Sequence, residues 1–554
     1  MHHTILHTDP NQDILTRLLT VRGVADHGKD FLYPQANKFW IDPLKLHDCQ
    51  QWIERILQAI RHQEKIVVFG DYDVDGVTAS RIMYQTLKHF LKYPTVTIRL
   101  PNRLHDGYGI KNHHIQEAHD IGAKLIITVD NWITAFEESL YAKKMGIDIV
   151  VTDHHQALDE LPQAHSLINP QISQDYDFPD VCGAMVAFKV WYQLVKTHTN
   201  DTNIHKLYLQ KMIPMVTVGT VADCMPLIHE NRLIVKMGLD YINQWVWPKP
   251  LLNFINQIGI KEALNTFHIW YMIAPRLNAW WRMVSPYKSL QVLMSDGIQQ
   301  TQHINNLEEL NTLRKQSQDQ MVKQAEQQIN HNENILIASA DLHQFHEGVI
   351  GIVAGKLTEK YHKPSLILSI NTQTGYAVGS LRWPWYFSVI NMLACVSDLC
   401  ERMGWHAQAG GLTIRQDRIA QLYDRLYRYC KDHISAQNLV KTSTSDTILY
   451  PHECNVDTTN MISKLAPFGE GNPEPSLYLP GVKILKKEKI WSKGNWHLKL
   501  YTQYEDQKLS MMFWGKWNMI DDCDQDQYNI IWSLKNDTYN GGVYIVASEY
   551  HETT

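Results

Sequence analysis

Four short β-branched runs between residues 65 and 153 constrain the fold of this chain more than any other feature. They read KIVVFGD, TVTIRLP, KLIITVD and DIVVTD, and each segment between them is long enough for a crossover helix. Strands that alternate with helices in this way predict βαβ units and a parallel sheet. Three of the four runs end in aspartate, and ligands of open α/β sheets bind at the carboxyl ends of the strands. We therefore expect these acids to converge on one site.

The first of these runs continues into a dense acidic motif, VVFGDYDVDG. It places Asp71, Asp73 and Asp75 at alternating positions, and in extended backbone the three would share one face. Gly76 lets the chain turn before the next helix. Like charges this close are stable at neutral pH mainly when cations or protons offset them. The motif predicts a cation site, and a solvated acidic loop is the alternative for this motif alone.

Further acids and imidazoles follow other apolar runs, and we expect them at strand ends of the same sheet: Asp130, Asp153, His154, His155 and Asp223. One such residue is usually structural, but several clusters around one sheet predict a dinuclear metal site. Carboxylates with one or two imidazoles suit Mn²⁺, with Mg²⁺ as the second candidate. Two such ions clamp a phosphate and stabilise the attacking and leaving oxygens. Phosphoester hydrolysis is therefore the expected reaction.

The composition excludes several other classes of protein. The chain has 554 residues, 44% of them apolar and 20% charged, which predicts a soluble globular protein of roughly three or four domains. The net charge of −6 excludes a uniformly basic nucleic-acid coat. Eight cysteines without a CxxC pair favour a reducing compartment over a disulfide framework. With no signal sequence or long apolar run, we expect a cytoplasmic protein without a membrane span.

The pattern along the chain predicts an α/β fold of four parts. A parallel-sheet catalytic domain with an N-terminal extension covers 1–300, and a second α/β domain covers 336–440. Residues 301–335 contain no Gly or Pro and are rich in Gln, Glu, Asn and Lys. They predict a long, largely solvated connecting helix, with a disordered linker as the alternative. Short strands and turns in 441–554 predict a small β-barrel or sandwich.

The motifs GDYDVDG, VDN, TDHH and GTVADCMPL resemble the four motifs of the DHH phosphoesterase superfamily. Further segments are similar to the RecJ family of single-strand-specific 5′→3′ exonucleases: PNRLHDGYG, CGAMVAFK, APRLNA, HEGVIGIVAGKL, GSLR, HAQAGGL and PFGEGNPEP. The resemblance covers nearly the whole chain. It implies, in order, a catalytic DHH domain, a connecting helix, a DHH-associated domain and an OB-like domain.

The resemblance also implies roles for individual residues. The implied ligands of two Mn²⁺ or Mg²⁺ ions are Asp73, Asp75, Asp130, His154 and Asp223. Catalytic roles fall to Asp71, in the same cluster, and to His155, which would polarise the phosphate or donate a proton to the leaving oxygen. The implied substrate-binding residues are Arg103, Arg276, Asn278, Arg282, Ser380, Arg382 and His406. The last three would hold the terminal phosphate. Candidates on the OB-like domain are Tyr478, Lys493, His497 and Lys499.

As the leading function, the resemblance implies metal-dependent hydrolysis of single-stranded DNA from the 5′ end to mononucleotides, in recombination and repair. A DHH phosphodiesterase acting on short oligonucleotides or cyclic dinucleotides is one alternative, and a non-catalytic single-strand-binding scaffold is another. The implied partners are single-stranded DNA, a RecQ-type helicase and a single-strand binding protein. A monomer without membrane association is expected.

Several tryptophans stand where the RecJ pattern has glycine. The motif VDNW has this departure at Trp132, and MGWHAQAGG has it at Trp405. In LNAWWR it lies at Trp281, with Trp280 as the alternative. The motifs RWPWY and FWGKW add Trp383, Trp385 and Trp517. The chain has 17 tryptophans. It has 28 glycines, fewer than the ~39 glycines that average usage would give.

Glycine at such points lets backbone approach a metal or phosphate, or adopt a positive φ. We hypothesise that UGA encodes glycine in the source lineage and was translated as tryptophan. Genuine substitutions, in an active or a decayed enzyme, are the alternatives. UGG codons at Trp132, Trp281 and Trp405 would refute the hypothesis.

Overall fold

A computed structural model of the chain describes residues 2–102, 106, 109–246, 248–384, 386–387, 389–406, 409–439, 442–492, 495–516, 527–536 and 543–552. The chain divides into two compact units. One comprises Met1–Trp40, Pro226–Leu233 and Thr442–Thr554, and the other comprises Ile41–Met225 and Ile234–Lys441.

The larger unit contains the predicted parallel sheet, called here the catalytic sheet. Its five strands lie in the order Val96–Arg99, Lys65–Phe69, Ala123–Val129, Asp148–Thr152 and Ser166–Ile168, and all neighbours are parallel. The β-branched runs form the central strands because helices cover both faces and leave their side chains almost fully buried. The prediction of βαβ units is confirmed.

Helices surround this sheet and extend the domain. The helices before residue 200 are Cys49–Arg61, Val74–Gln85 (continued by the π-helical turn Thr86–Phe90), Asn112–Asp120, Phe136–Lys144 and Gly183–His198. Those after residue 200 are Thr202–Ala222, His229–Asn243, Lys249–Gln257, the π-helical His268–Ile273, Ala274–Met283 and Tyr287–Met294. Trp52 and Trp191 meet edge to face in the core, with ring centroids 4.9 Å apart. No described helix is both long and apolar enough to cross a membrane.

The connecting helix is Gly297–Gln328, so the helical prediction for 301–335 is confirmed in most of its length. The helix is largely solvated, as predicted, except for one stripe that is buried. The buried residues recur at alternating spacings of three and four: Gln300, Ile304, Leu307, Asn311, Arg314, Gln318, Met321 and Ala325. Half of them are polar, which is why a hydropathy pattern missed the stripe.

A second five-stranded sheet follows, in the order Cys400–His406, Ala409–Arg415, Tyr376–Arg382, Ser365–Asn371 and Leu336–Asp341. The last pair is parallel and the others are antiparallel. The helices of this region are Ile350–Tyr361, Val389–Ala394 and Ile419–His433. Apolar side chains from the sheet and from Ile419–His433 form one core.

The smaller unit contains a closed five-stranded barrel. Its strands run Leu477–Ser492, Asn495–Tyr504, Gln507–Phe513, Val543–Glu552 and Gln527–Asn536, and the last pairs again with the first. The prediction of an OB-like barrel is confirmed.

Residues 1–40 cluster with this barrel unit and not with the catalytic sheet. Strand His2–His7 pairs in parallel with Thr442–Ile448, which in turn pairs with Leu477–Ser492. The remaining helices of the unit are Ile14–Val21, Gly28–Leu32, Ala36–Phe39 and Val456–Ser463.

Candidate metal centre

The acidic motif turns directly from strand into helix. The strand ends at Phe69, and helix Val74–Gln85 is capped by Asp73, whose side chain accepts a hydrogen bond from the Gly76 amide at 3.0 Å. Asp75 therefore lies in the first helical turn, and the expectation of three aspartates on one face of an extended segment is wrong. The acids still converge, because a strand end and a helix start meet at this point.

Asp75 is held by the start of a second helix. Its Oδ2 accepts a hydrogen bond from the Gly183 amide at 2.6 Å, and its Oδ1 accepts one from the Ala184 amide at 3.0 Å. A Cβ on Gly183 would lie 2.7 Å from the Cβ of Asp130, so only glycine fits there. Free amides at a helix N-terminus stabilise a carboxylate. This helix start, which sequence reasoning did not assign, fixes Asp75 and Asp130 side by side.

Asp130 follows the strand Ala123–Val129 in a left-handed conformation, with φ of 61°. Its amide donates to the carbonyl of Thr152 at 2.9 Å. Its Oδ1 lies 3.0 Å from Nε2 of His154. The two strand ends thus place one carboxylate and one imidazole in direct contact, as the alternation of strands and helices predicted.

Asp223 reaches the same cluster from a helix and not from a strand. It caps the carboxyl end of Thr202–Ala222, so its predicted place at a strand end is wrong. Its Oδ2 lies 3.7 Å from Nε2 of His154. The apolar run before it is a buried helix, which periodicity alone does not distinguish from a buried strand.

Asp153 positions His155, a role that sequence reasoning did not assign. Nδ1 of His155 lies 2.7 Å from Oδ1 of Asp153, and the Ile133 amide donates to Oδ2 of Asp153 at 2.9 Å. Burial raises the pKa of Asp153, but the charge and hydrogen bond of His155 outweigh burial and bring it to about 2. Burial lowers the pKa of His155, but Asp153, Asp223 and Asp71 raise it to about 9. A protonated His155 therefore sits at the edge of the acid cluster.

The predicted ligands form overlapping groups whose ligand atoms lie within 4.8 Å of one another: Asp71 with Asp73 and Asp130, Asp75 with His154 and Asp223, and Asp130 with His154 and His155. Burial, together with the neighbouring carboxylates, raises the pKa of Asp130 and of Asp223 well above the ordinary value. Burial and His155 lower the pKa of His154. The cluster therefore consists of buried carboxylate and imidazole groups that can accept cations or protons, and its negative charges repel one another.

This donor set fits divalent cations. Asp130 Oδ1 and Asp223 Oδ2 are buried, and neither forms a hydrogen bond within the described ranges. The imidazole of His154 faces these oxygens, but it is neutral and does not offset their negative charge. Cations or protons are therefore needed among the carboxylates. Oxygen-rich sites with one or two imidazoles match Mn²⁺ and Mg²⁺. The metal prediction is supported by this chemistry.

Two segments of the chain match models of known domains: residues 65–220 match the DHH family N-terminal domain, and residues 445–547 match the RecJ OB domain. The single-stranded-DNA-specific exonuclease RecJ of Bacillus subtilis is 29% identical over 529 residues, covering 92% of this chain and 64% of that protein. The Escherichia coli protein of the same name is 28% identical over 510 residues, covering 88% and 86%. These matches assign residues 65–220 to a DHH domain and residues 445–547 to a RecJ-type OB domain, in a chain that is similar to RecJ exonucleases over most of its length.

The fold agrees with this assignment. A crystal structure of RecJ in complex with Mn²⁺ from Thermus thermophilus superposes with a TM-score of 0.82 at 22% identity, covering 100% of this chain and 80% of that one. The chain spans 64% of the length of the Bacillus relative.

The RecJ-type substrate residues on helix Ala274–Met283 are engaged by neighbours. Arg276 forms an ion pair with Glu308 on the connecting helix, at 2.5 Å. The amide oxygen of Asn278 accepts a hydrogen bond from Nε1 of Trp281 at 2.7 Å. Arg282 donates to the carbonyl of Gly348 at 3.2 Å. The contact of Arg282 brings this helix against Gly348 of the second α/β region.

The predicted phosphate site of the DHH-associated domain lies on strand Tyr376–Arg382. Arg382 Nη1 donates to Ser380 Oγ at 3.1 Å. A Cβ added to Gly351 would lie 3.1 Å from both side chains, so this glycine faces them closely. His406 ends strand Cys400–His406, but its side chain lies outside the described part. Arg103 lies outside the described residues altogether.

On the OB barrel the predicted contact residues differ in their burial and in their contact partners. Lys499 lies over the ring of Tyr501 at 4.8 Å, and Tyr478 stacks on His3 with centroids 4.7 Å apart. His497 is buried, and its Nδ1 accepts a hydrogen bond from a backbone amide at 2.8 Å. Lys493 lies outside the described residues.

Sequence reasoning missed two exposed indoles on the barrel, Trp491 and Trp496, whose centroids are 5.0 Å apart. Lys489 lies 4.6 Å above the ring of Trp496. Exposed aromatic rings beside lysines are typical of single-strand binding surfaces.

Trp132 has a backbone that suits glycine. Its φ is 103°, beyond the left-handed helical region that polar residues sometimes visit. The side chain is 3% exposed, and its Nε1 has no hydrogen-bond partner among the described residues. This is the conformation expected if position 132 were glycine.

Trp281 is buried, with 4% of its surface exposed, and so is not flipped outward. Its ring lies 4.8 Å from that of Tyr72, which stands between two of the acidic cluster residues, and 4.2 Å from the guanidinium of Arg282. The indole therefore occupies space beside the metal centre. Trp280 and Trp383 are also buried. Trp405 lies in a strand, but its side chain, like all of Trp385 and Trp517, lies outside the described part.

Proposed function

We propose that this chain is a metal-dependent exonuclease that hydrolyses single-stranded DNA from the 5′ end to 5′-mononucleotides. The observation that carries the proposal is the buried cluster of carboxylates and imidazoles beside arginine-bearing segments of the second α/β region. Its RecJ-family relatives are named single-stranded-DNA-specific exonucleases. The OB barrel supports a single strand as the substrate, because such barrels bind unpaired bases on exposed aromatic rings.

The residues that would hold two Mn²⁺ or Mg²⁺ ions are Asp73, Asp75, Asp130, His154 and Asp223. When bound, such ions polarise phosphate oxygens and lower the pKa of water for attack on phosphorus. Asp71 belongs to the same cluster and completes its negative charge. The Mn²⁺-bound T. thermophilus structure supports manganese as the first ion to test.

Side chains of the chain would supply proton donation, positioning and phosphate binding. The carboxylate of Asp153 beside Nδ1 raises the pKa of His155 and favours its protonated ring, so the ring can donate a proton to the leaving oxygen or a hydrogen bond to the phosphate. Asp153 holds the ring in place by accepting from Nδ1. Arg382 and Ser380 would hold the terminal phosphate, since a guanidinium and a hydroxyl are its natural donors.

The cellular setting is part of the proposal. We place the enzyme in the cytoplasm, because the described cysteines are all free thiols, as in a reducing compartment. Its role would be recombination and repair, as a monomer alongside a RecQ-type helicase and a single-strand binding protein. Arg103, Arg276, Asn278, Arg282 and His406 would complete the contacts to the strand.

The test is digestion of a long single strand and of a matched duplex in Mn²⁺, with label at either end. Release of mononucleotides from the 5′ end of the single strand alone supports the proposal. Asp130→Asn should abolish cleavage, whereas Asp240→Asn, which removes an exposed acid from helix His229–Asn243, should not. Equal cleavage by the wild type and Asp130→Asn would exclude the metal mechanism. Binding without cleavage by the wild type would favour the scaffold.

A further inference from the structure

A cavity of about 260 Å³ lies directly beside the metal centre. Ala222, which precedes the metal-centre residue Asp223, forms part of its wall. The cavity reaches Ile352, in the helix of the second α/β region. It therefore lies between the helix that ends next to Asp223 and the helix Ile350–Tyr361 of the second α/β region.

Arg314, on the connecting helix, contributes a buried charge to this cavity. It is 7% exposed. Its Nη1 donates to Oε1 of Gln318 and its Nη2 to Oδ1 of Asn311, both at 2.9 Å. Its Nε has no hydrogen-bond partner in the described part of the chain. Its hydrogen bonds among the described residues go to neutral amides, and no carboxylate pairs with it there.

The acids nearest in sequence are committed elsewhere. Glu308, almost two turns earlier on the same helix, pairs with Arg276. Asp319, about one turn later, lies 3.1 Å from Nζ of Lys356. A buried guanidinium without a counter-charge is costly unless an anion or further hydrogen bonds compensate. The helix thus pairs Arg276 directly with a carboxylate, whereas Arg314 is hydrogen-bonded only to amides among the described residues. Burial lowers the pKa of Arg314, and Asp319 at longer range raises it against that lowering.

The other walls of the cavity suit a nucleotide. Asn278 and Arg282 supply further polar groups, and Trp270 and Tyr271 supply aromatic rings that are more than half exposed. Guanidinium groups bind phosphate oxygens through paired hydrogen bonds, and aromatic rings stack on bases of any sequence. The cavity therefore combines exposed aromatic rings with the buried cation Arg314 and the half-buried cation Arg282, the groups that suit the base and the phosphate of a nucleotide.

We propose that this cavity is a nucleotide subsite in which Arg314 binds a backbone phosphate of the single strand while Trp270 and Tyr271 stack on a base. The subsite rests on the proposed function, because it would hold the strand whose end lies at the metal centre. The connecting helix is then part of the substrate site as well as a spacer.

The test compares Arg314→Gln with Arg314→Lys and with Lys323→Gln, which removes an exposed positive charge from the same helix. Binding of a short 5′-phosphorylated oligothymidylate is measured by fluorescence anisotropy in EDTA over a range of salt concentrations. Arg314→Gln should weaken binding by about tenfold, the size of one charge-assisted hydrogen bond. It should also lower the slope of log K against log salt by about 0.7, the value of one single-strand phosphate contact.

Arg314→Lys should keep the salt slope, and Lys323→Gln should keep both affinity and slope. Parental affinity and slope in Arg314→Gln, or an equal loss in Lys323→Gln, would overturn the subsite, and so would a parental chain that does not bind the oligonucleotide. If Arg314→Gln does not fold, the slope of Arg314→Lys decides, and a lowered slope there would contradict the proposal. Because binding is measured in EDTA, a failure of hydrolysis bears on the proposed function alone.

Discussion

The backbone at Trp132 allows a direct measurement of whether this position requires glycine. With φ of 103°, any side chain with a Cβ is strained there, at a cost of about 1–3 kcal/mol. Glycine avoids this cost because it has no Cβ. The relevant comparison is therefore Trp132→Gly against Trp132→Ala, since both remove the indole and leave nearly the same cavity.

The cavity effect itself is large, because Trp132 is 3% exposed and removing a buried tryptophan costs about 3–5 kcal/mol. That loss is common to both variants and cancels in their difference. We expect Trp132→Gly to be more stable than Trp132→Ala by about 1–3 kcal/mol, the strain that alanine retains. At an ordinary helical position the order is reversed, with alanine more stable by about 0.5–1 kcal/mol.

The assay is urea unfolding followed by circular dichroism, with midpoints compared between the two variants. The matched control is Trp191, which is fully buried in the interior of helix Gly183–His198. There the alanine variant should have the higher midpoint. A Trp132→Ala variant as stable as Trp132→Gly would refute the argument, because it would show that the backbone bears no strain specific to a Cβ.

The same result bears on the genetic-code hypothesis. A preference for glycine at Trp132 shows what the backbone requires, while the codons at Trp132, Trp281 and Trp405 show what the gene encodes. Agreement between the two, with UGA at all three positions, is the expected outcome. UGG at all three would make the strain a property of a genuine substitution.

Three further predictions concern the metal centre. Mn²⁺ should stabilise the chain against unfolding by about 2.7 kcal/mol at a hundredfold excess over its Kd. The pKa values of Asp130 and Asp223 are raised in the folded chain, so their contribution to metal-free stability is lost as pH rises from 3.8 through the folded-state values. The increase in melting temperature caused by Mn²⁺ should therefore grow with pH. Gly183→Ala should weaken Mn²⁺ binding measured by calorimetry, since its Cβ would press on Asp130. Trp281→Gly should raise oligonucleotide affinity measured by anisotropy, because it vacates space beside Tyr72.

The catalytic sheet was predictable because its signal is local and repeated. The β-branched runs pair in register, with Val67 opposite Ile126 and Ile126 opposite Ile149. Each run is followed by a polar segment and a helical pattern, which leaves few topologies other than a parallel sheet. The convergence of Asp130 and His154 follows from that topology alone.

The local geometry of the acids was not predictable by the same means. Asp75 lies in a helical turn and Asp223 at a helix end, although both were expected in extended segments. An apolar run such as TVGTVA fits a buried helix as well as a buried strand, and only its packing partners decide. The hydrogen bonds that hold Asp75 come from Gly183, more than a hundred residues later.

The N-terminal strand illustrates a different limit. The sequence of His2–His7, HHTILH, shows no alternation of apolar and polar residues, and its partner is Thr442–Ile448, at the other end of the chain. Pairing over such a distance leaves no trace in the spacing of either segment. Placing residues 1–40 with the catalytic domain was therefore a default based on proximity in sequence, whereas the structure clusters them with the barrel unit.

The connecting helix shows that a polar sequence can conceal a buried stripe. Gln300, Asn311, Arg314 and Gln318 lie on its buried stripe, yet hydropathy counts each of them as facing solvent. Arg314 has amide side chains at positions −3 and +4 and no acid at either, whereas exposed helical arginines gain stability from an acid at such positions. An arginine flanked by amides in this way can be buried with both of its terminal nitrogens hydrogen-bonded and no carboxylate in direct contact among the described residues. Only the folded helix shows that Arg314 is buried with amides as its hydrogen-bond partners, which is the feature that suits the proposed phosphate contact.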